Sequence, residues 1–388
     1  MAYKVPFVDV PTHFRRLRAP IMETIEQVLS RGNLILRDEL RQFERSFASF
    51  IGRRYAVGVN SGTDALHLSL RAIGFKPGDE VITVSHTCVA TVAAIVNAGA
   101  TPVLVDVGDD FNMNIGSVEE AIRPSTRAIV PVHLNGRACD MERLMAISQR
   151  HNLLVVEDAA QAVGAKFDGR MVGSLGLVGC FSFYPFKMLG AFGDAGIMVT
   201  DDREIARRIS QLRDYGEDRE TGEILHFGFN ARLDNLQAAL LHLKLQYLPG
   251  WIDRRREIAR LYHRGLSALP LLKIPDFPGE KYFDVFLNYC LRAPKRDELV
   301  AYLKEHGIEP LTPISFIKPL HRHEALGLQR FTLPQTEKIA REFLYLPIHP
   351  ELEDSQVEYV IECIRNFYEG WERAPSNLEE GQRVHRRL

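Results

Sequence analysis

Between about residues 55 and 200, short apolar runs alternate along the chain with longer stretches that mix apolar and polar positions. Each run is rich in β-branched residues and is bounded by Gly, Asp, Asn or Pro, which is typical of buried strands. The predicted strands are "YAVGVN" (55–60), "EVITV" (80–84), "TPVLVDV" (101–107), "AIVPVHL" (128–134), "LLVVED" (153–158) and "GIMVT" (196–200).

The stretches between these runs have helical spacing. In "TDALHLSLRAIGF", for example, Leu66, Leu70 and Ile73 fall on one helix face. Strands that alternate with helices in this way predict an α/β fold with a mostly parallel central sheet and crossover helices. Ligands of such sheets bind at the carboxyl ends of the strands, so the residues just after each run are candidates for the site.

The pattern changes after Pro249-Gly250, which follows a long helix-like stretch from about residue 231. We predict a large domain over residues 1–249, with its N-terminal segment as a candidate contact of a smaller α+β domain over 250–375, and a polar tail over 376–388. The smaller domain is predicted to contain a strand at "YFDVFLNYCLRA", a helix at "RDELVAYLKEHG" that ends at Gly307, and an amphipathic helix at "QVEYVIECIRNFYEGW".

Composition narrows the possible partners and location. The formal net charge is −2, with both signs interspersed, so nothing indicates a surface for nucleic acid or an anionic membrane. No apolar run reaches transmembrane length, and the start of the chain does not resemble a secretory leader. A cytoplasmic, reduced protein is predicted. The scattered positions of the cysteines favour neither a disulfide scaffold nor a metal site; they are Cys88, Cys139, Cys180, Cys290 and Cys363.

The first candidate site motif is "NSGTDAL", directly after the first predicted strand. Gly62 and Thr63 would begin a helix, where free backbone N–H groups and the helix dipole favour a phosphate. Glycine also lets a ligand approach the backbone closely. The alternative is an ordinary capping turn, with Ser61 or Thr63 as the cap.

The second candidate motif is "EDAAQAVGA", at the end of the fifth predicted strand. Asp158 could pair with a cationic group of a ligand, with Gln161 as a neighbouring hydrogen-bond donor. The alternative is that Asp158 caps a short helix. Since successive strand residues point to opposite faces, at most one of Glu157 and Asp158 is expected to enter the site.

The third motif is "FSFYPFKMLGAFGDAG", in which Lys187 lies between aromatic residues and glycines, shortly after Ser182. A charged lysine is costly in apolar surroundings, so either it lies on the surface or its amine loses its charge to react. A phosphate site, a buried acid and a reactive amine at one sheet edge are what pyridoxal 5'-phosphate requires. Together the motifs therefore favour a site for this cofactor, with Lys187 as its covalent partner.

These motifs and their order along the chain resemble the sugar-nucleotide aminotransferases of the DegT family, which have the aspartate-aminotransferase (type I) fold. The resemblance extends over nearly the whole chain. It is carried by "VPFVDV", "NSGTDALHLSL", "GDEVITVSHT", "GATPVLVDV", "AIVPVHLNGRACDM", "VVEDAAQAVGA", "CFSFYPFKMLGAFGDAG", "GFNARLDNLQAAL" and "LPIHPEL".

The resemblance implies a role for each matching residue. Lys187 would form the internal aldimine with pyridoxal phosphate and later move the substrate proton, Asp158 would pair with the pyridinium nitrogen, and Gln161 would lie near the ring hydroxyl. Asn230 would reach the cofactor phosphate from the other subunit of a homodimer with shared active sites, although it could also cap the helix that follows. The phosphate would otherwise be held by Gly62, Thr63 and Ser182.

The chain departs from the family pattern in two places. Cys88 stands where the family usually has an aromatic residue that stacks on the cofactor ring, and we interpret it as a packed cysteine that leaves more room over that ring. The run "LTPISFIKPLH" (311–321) differs from the usual His-Tyr-Pro pattern in a region that faces the sugar. His321 in this run is a candidate substrate residue, with an ordinary loop histidine as the alternative.

The resemblance implies an aminotransferase that moves an amino group from glutamate, through pyridoxamine phosphate, to a keto group of a nucleotide-linked sugar in amino-sugar biosynthesis. One alternative is a sugar dehydratase of the same family, but those enzymes have histidine at the lysine position, and Lys187 argues against it. Another is a regulator that binds the cofactor or a sugar nucleotide without turnover, although no DNA-binding motif or basic patch is present.

Overall fold

The computed structural model describes residues 3–277 and 279–373, with only the backbone of residues 371–373, so the predicted tail over 376–388 lies outside the described residues. The helices are α1 (Val10–Arg31), α2 (Asp38–Ile51), α3 (Gly62–Ile73), α4 (Val89–Asn97), α5 (Ile115–Ala121), α6 (Met141–His151), α7 (Arg203–Leu212), α8 (Asn235–Leu245), α9 (Leu248–Leu266), α10 (Arg296–Glu305), α11 (Ile314–Ile317), α12 (Pro334–Glu342) and α13 (Asp354–Arg373). The strands are β1 (Tyr55–Val59), β2 (Glu80–Val84), β3 (Thr101–Val105), β4 (Thr126–Ile129), β5 (Leu154–Asp158), β6 (Lys166–Phe167), β7 (Arg170–Met171), β8 (Val178–Ser182), β9 (Gly196–Thr200), β10 (Tyr282–Phe283), β11 (Tyr289–Arg292) and β12 (Phe343–Leu346).

The central sheet has the strand order β1-β9-β8-β5-β4-β2-β3. Its pairs are parallel except at β9, which is antiparallel to both β1 and β8. The predicted α/β fold with a mostly parallel sheet is therefore confirmed. Antiparallel neighbours need no crossover helix between them, so a loop joins β8 to β9. That loop carries Lys187.

The predicted strand bounds are wrong in detail. The run over 128–134 forms a strand only as far as Ile129, and a short 3₁₀ turn occupies Leu134–Gly136. Strand β8 has no counterpart among the predicted strands, because Gly179 interrupts its short apolar run. A Cβ atom on Gly179 would lie 2.3 Å from the carbonyl oxygen of Gly173, so glycine is needed here for close backbone contact.

Helices cover both faces of the central sheet. Apolar side chains of α2 and α6 belong to the hydrophobic cluster on one face, and those of α3 and α7 belong to the cluster on the other. Both faces of the parallel strands are thus buried, as expected for an α/β sheet. Within the ranges that the structure covers, no helix is both long enough and apolar enough to cross a bilayer.

A further hydrophobic cluster joins α9, α10 and α13 to the β11–β12 pair. Val5 belongs to this cluster, and its N–H donates to the Gly307 carbonyl at 3.0 Å, which ties the N-terminal segment to this part of the chain. Helix α9 begins at Leu248, so Pro249 and Gly250 lie in its first turn and not in a linker. Its Ile252 packs in the cluster of the central sheet, whereas later residues of α9 pack in the further cluster.

The predicted strand "YFDVFLNYCLRA" is wrong as a continuous element. Only Tyr282–Phe283 and Tyr289–Arg292 are strands, and they pair with different partners, β6 and β12. Phe286, between them, has a φ of 51°, a left-handed conformation that ends an extended chain. The predicted helices of this region form as α10 and α13, and Gly307 follows α10 with a φ of 74°.

Candidate active site

The fold brings the candidate residues to one edge of the central sheet. Gly62 follows β1, Asp158 ends β5 and Ser182 ends β8, and these three strands are mutually parallel. Carboxyl ends of parallel strands lie at the same edge, where α/β proteins bind ligands.

Gly62 and Ser182 are direct neighbours at this edge. A Cβ atom on Gly62 would lie 2.5 Å from the Cβ of Ser182 and 3.1 Å from its Oγ, so only glycine fits. The cap of α3 is Ser61, whose side chain accepts a hydrogen bond from the N–H of Asp64. Gly62 and Thr63 are therefore the first helical residues, and their N–H groups have no acceptor within the helix. Together with the Ser182 hydroxyl, these groups are donors of the kind that an anion needs.

Asp158 is buried, with 5% of its surface exposed. Its Oδ2 accepts a hydrogen bond from the Thr91 hydroxyl at 2.7 Å, and its Oδ1 accepts one from the N–H of Ala160 at 3.2 Å. Burial raises the pKa of the Asp158 carboxyl above its ordinary value, although these hydrogen bonds and the charge of Lys187 oppose the rise. The carboxylate is therefore not fully compensated, and a cation placed beside it would stabilise it.

Glu157, the residue before it, lies on the opposite face of β5 and is fully buried. It accepts hydrogen bonds from the N–H groups of Gly173 (2.7 Å), Leu175 (2.7 Å) and Gly176 (2.5 Å) and pairs with Nε2 of His133 at 3.0 Å. Although burial raises it, these partners hold the pKa of Glu157 below its ordinary value. The expectation that the two acids point to opposite faces agrees with these contacts.

Lys187 lies in the loop between β8 and β9 and is partly buried. Burial lowers the pKa of its amine below the ordinary value, while the charge of Asp158 opposes this change, and Cys88 makes a smaller contribution in the same direction as Asp158. Lys187 and Asp158 therefore interact electrostatically across the site. In a neutral form the amine is a nucleophile, which is the state that bond formation to an aldehyde requires.

Gln161 lies three residues after Asp158, and Cys88 lies just before α4. The Oε1 of Gln161 accepts hydrogen bonds from the N–H of Asn135 at 2.9 Å and from Nδ2 of Asn288 at 3.4 Å. This fixes the carboxamide and keeps its amino group as a donor. Cys88 is the exposed N-cap residue of α4, and its thiol interacts electrostatically with the Lys187 amine.

Asn230 is exposed in the single chain and lies in an extended segment that pairs with Asp214. The alternative that Asn230 caps the next helix is wrong, because α8 begins at Asn235 and its N-cap residue is Asp234. The chain from Asn230 to Asp234 forms isolated bridges instead of a turn.

His321 is fully buried. Its Nδ1 lies 2.8 Å from the hydroxyl of Ser85, just after β2, and its Nε2 lies 3.2 Å from Oε1 of Glu337 on α12. Both ring nitrogens are thus already bound, and the side chain connects the sheet edge to α12. A sugar would have to displace one of these partners, so the predicted substrate role of His321 stays a prediction.

Several residues of this edge have no signal in the sequence. Thr91 lies 67 positions before Asp158, and its hydroxyl is also bonded to that of Thr87 at 2.8 Å. The N–H of Cys139 donates to Nδ1 of His133 at 3.0 Å, so His133 carries its proton on Nε2 and donates it to Glu157. In this part of the chain the sequence singles out only Cys88, which lies between the two threonines.

The residues at this edge fit pyridoxal phosphate. The absence of a Cβ at Gly62 lets the start of α3 approach Ser182 directly, so that the free N–H groups of the helix and the Ser182 hydroxyl lie together as donors for a phosphate. Asp158 supplies an incompletely compensated carboxylate for a protonated ring nitrogen. Lys187 supplies an amine whose charge is disfavoured. Among the described residues, the Lys187 amine interacts electrostatically with Asp158 and Cys88 and has no hydrogen bond or ion pair, so it is available for a covalent partner.

Comparison with known proteins agrees with this geometry. The chain is 41% identical over 369 residues to a "pleiotropic regulatory protein" of Geobacillus stearothermophilus, covering 94% of this chain and 98% of that protein. It is 42% identical over 375 residues to a dTDP-3-amino-3,4,6-trideoxy-alpha-D-glucose transaminase of Streptomyces venezuelae, covering 96% and 98%. The crystal structure of S. venezuelae DesV with a ketimine intermediate matches with a TM-score of 0.91 and 42% identity, covering 95% of this chain and 99% of that one.

The model of one protein family matches residues 16–365, which include every candidate residue of the site. Aminotransferases of this family depend on pyridoxal phosphate, in agreement with the donors at the sheet edge. The chain belongs to the DegT/DnrJ/EryC1/StrS aminotransferase family.

Proposed function

We propose that this protein is a pyridoxal-phosphate-dependent aminotransferase that places an amino group on a keto sugar linked to a nucleotide. The observation that carries the proposal is the placement at one sheet edge of the buried Asp158, the Gly62–Ser182 contact and the Lys187 amine, whose charge acts on Asp158. The substrate class is supported by the dTDP-sugar transaminase of S. venezuelae, which is 42% identical to this chain over nearly its whole length.

The cofactor would be held at both ends by residues of this chain. The N–H groups of Gly62 and Thr63 and the hydroxyl of Ser182 would bind its phosphate, and Asp158 would bind the ring nitrogen. Gln161 has its amino group available for the ring hydroxyl because its oxygen is bound by Asn135 and Asn288. When bound, pyridoxal phosphate supplies an aldehyde carbon that reacts with amines and a ring that takes up electrons.

Proton transfer falls to Lys187 and Asp158. The Lys187 Nζ accepts the proton from the substrate carbon and returns it, which its lowered pKa favours because a neutral amine is the base. Asp158 would stabilise a proton on the ring nitrogen through its negative charge, and Thr91 holds the carboxylate in place by its hydrogen bond to Oδ2. We propose that His321 holds α12 against the sheet edge, since its ring links Ser85, just after β2, to Glu337 on α12.

The remaining partners are part of the proposal. Glutamate is the proposed amino donor, and a homodimer is proposed to complete each site with Asn230 of the second copy. The dimer is supported by exposed aromatic side chains next to Lys187, since Tyr184 and Phe186 are 46% and 47% exposed in the single chain. Cytoplasmic location and the absence of nucleic-acid and membrane partners stay predictions from composition.

The test is the absorbance spectrum of the purified protein with pyridoxal phosphate, before and after glutamate, beside Lys187→Ala. We expect a Lys187-dependent band that glutamate converts, followed by amination when dTDP- or UDP-linked keto sugars are added. Lys187→Ala is expected to lower turnover by at least about 10³-fold, because both the covalent link and the base are lost.

Two results would contradict the proposal in different ways. Full activity of Lys187→Ala would remove the assigned role of the lysine. A stable Lys187-dependent band that no amino donor or keto sugar changes would instead favour a regulator without turnover, the reading that the name of the Geobacillus relative suggests.

A further inference from the structure

A second buried lysine lies close to the loop that carries Lys187. Lys244, on α8, is 4% exposed, and its Nζ donates a hydrogen bond to the carbonyl oxygen of Gly190. The same ammonium lies 4.9 Å from the ring centroid of Phe192, in cation–π contact. Lys244 thus contacts the loop between β8 and β9 at two positions just after Lys187.

Gly190 lies where the chain segments before and after Lys187 are in close contact. A Cβ atom on Gly190 would lie 2.3 Å from the carbonyl oxygen of Pro185, so the two flanks of Lys187 are in close contact. The N–H of Ala191 donates to the Phe183 carbonyl at 2.7 Å, and the N–H of Lys187 donates to the Tyr184 carbonyl at 2.8 Å. Fixing Gly190 therefore fixes both sides of the turn on which Lys187 stands.

Helix α8 also holds this loop at a second position. Gln237 accepts a hydrogen bond from the N–H of Phe192 at 2.9 Å and donates one to the Phe192 carbonyl at 3.0 Å. Gln237 and Lys244 are seven residues apart, which places them two turns apart on one helix face. The segment that contains Asn230 leads directly into this helix.

The surroundings of Lys244 make its burial costly. It shares a cavity of about 270 Å³ with Lys187, and the charged and titratable groups that line this cavity with them are Asp9, His13, Arg255, His349 and Glu351. Glu351 is engaged by His13 at 2.7 Å, and it lies 3.5 Å from Nδ1 of His349. Burial lowers the pKa of Lys244 to about 8, while Glu351 opposes the change. A neutral residue of similar volume would avoid the cost of burying a charge. The contacts of Lys244 with Gly190 and Phe192 are therefore the better explanation for a lysine at this position.

We propose that Lys244 is a positioning residue for Lys187: through the Gly190 carbonyl and the Phe192 ring, it holds the loop so that the Lys187 amine meets the cofactor aldehyde. The inference rests on the proposed role of Lys187. Because a charged donor makes the stronger hydrogen bond, this support is greatest while Lys244 is protonated and weakens as the pH rises through about 8.

The experiment compares the wild type with Lys244→Met, Lys244→Gln and, as a control, the exposed Lys338→Met. The dissociation constant of pyridoxal phosphate is measured from the Lys187-dependent absorbance band between pH 7 and 9, together with the melting temperature. We expect Lys244→Met to weaken binding about tenfold at pH 7 through misplacement of the amine, and yet to raise the melting temperature. Lys244→Gln keeps a donor without the charge, so it should recover part of this loss.

The pH dependence of the affinity for pyridoxal phosphate tests whether the Lys244 amine is the group responsible. The wild type should lose affinity relative to Lys244→Met as the pH rises through about 8, and the two should converge above it. Affinities of Lys244→Met and Lys244→Gln that equal the wild type at every pH would overturn the proposal, as would an equal loss in Lys338→Met. If the wild type itself shows no Lys187-dependent band, the proposed function fails and not this inference alone.

Discussion

Glu157 and Asp158, at the end of β5, lie on opposite faces of the sheet and differ in their hydrogen bonds and in the direction of their pKa shifts. On one face Glu157 receives N–H donors from three backbone groups and from His133, and its pKa is held low. On the other face Asp158 receives one hydroxyl and one longer N–H bond, and burial raises its pKa. The acceptor capacity of the first carboxylate is met within the fold, whereas the second is only partly compensated by its two hydrogen bonds and the charge of Lys187. The opposite directions of the two pKa shifts therefore separate a structural carboxylate from one that is available to a ligand.

The two carboxylates also affect stability in opposite directions as the pH changes. Glu157 has a folded pKa below the unfolded value, so its stabilisation is present above about pH 4.5 and is lost as the pH falls through the folded pKa. Asp158 has a folded pKa above the unfolded value of 3.8, so it binds more protons when folded. Its contribution therefore diminishes as the pH rises through that folded pKa, and ionised Asp158 is a cost of the site.

The largest effect is expected on the face of Glu157. Glu157→Gln places an amide N–H against donors of the Gly173–Gly176 loop and removes the charge that they stabilise. We expect a loss of about 3–5 kcal/mol in the free energy of unfolding, measured by urea denaturation. The exposed Glu358→Gln is the matched control and should change little. If Glu157→Gln unfolds like the control, the described hydrogen bonds do not carry the stability of this face.

A change on the other face should affect chemistry and not stability. Asp158→Asn keeps the shape and an acceptor for Thr91 but cannot keep the cofactor nitrogen protonated, so we expect turnover to fall about 10²-fold. The free energy of unfolding at pH 7 should stay equal or increase, because the cost of a buried charge is removed. Steady-state kinetics and denaturation of the same sample check both parts. An unchanged rate would mean that the ring nitrogen has another partner.

The smallest expected effect comes from the neighbour of Asp158. Thr91→Val removes the hydroxyl that binds Oδ2 and also leaves Thr87 without this partner. We expect a cost of about 1 kcal/mol, or about fivefold in turnover, with a further rise in the pKa of Asp158. This rise would appear as a shift of the acidic limb of the pH–rate profile to higher pH. Thr91→Ser keeps the hydroxyl and should behave like the wild type; equal profiles for Val and Ser would show that the hydrogen bond does not matter.

The spacing of apolar residues along the chain predicts much of the fold. The strands β2 and β5 and the helix α3 agree with the apolar spacing to within a residue or two, because burial of one face or both leaves a periodic signal. Strand β8 leaves no such signal, since Gly179 is required by contact with Gly173, which is itself bound to Glu157. The strand between Tyr282 and Arg292 was overpredicted because its apolar residues serve two different strand pairs.

The sequence by itself determined the α/β layers, the glycine at the start of α3 and the resemblance that singled out Asp158 and Lys187. These features depend on periodicity, on turn chemistry and on the order of motifs, all of which are local or linear. Only the tertiary structure decided that Thr91 supports Asp158, that His133 and the Gly173–Gly176 loop complete Glu157, and that Lys244 binds the Lys187 loop. These partners lie tens of residues apart in the sequence and meet only when the chain folds. A single threonine or lysine belongs to no periodic pattern, so its partner cannot be predicted from the sequence.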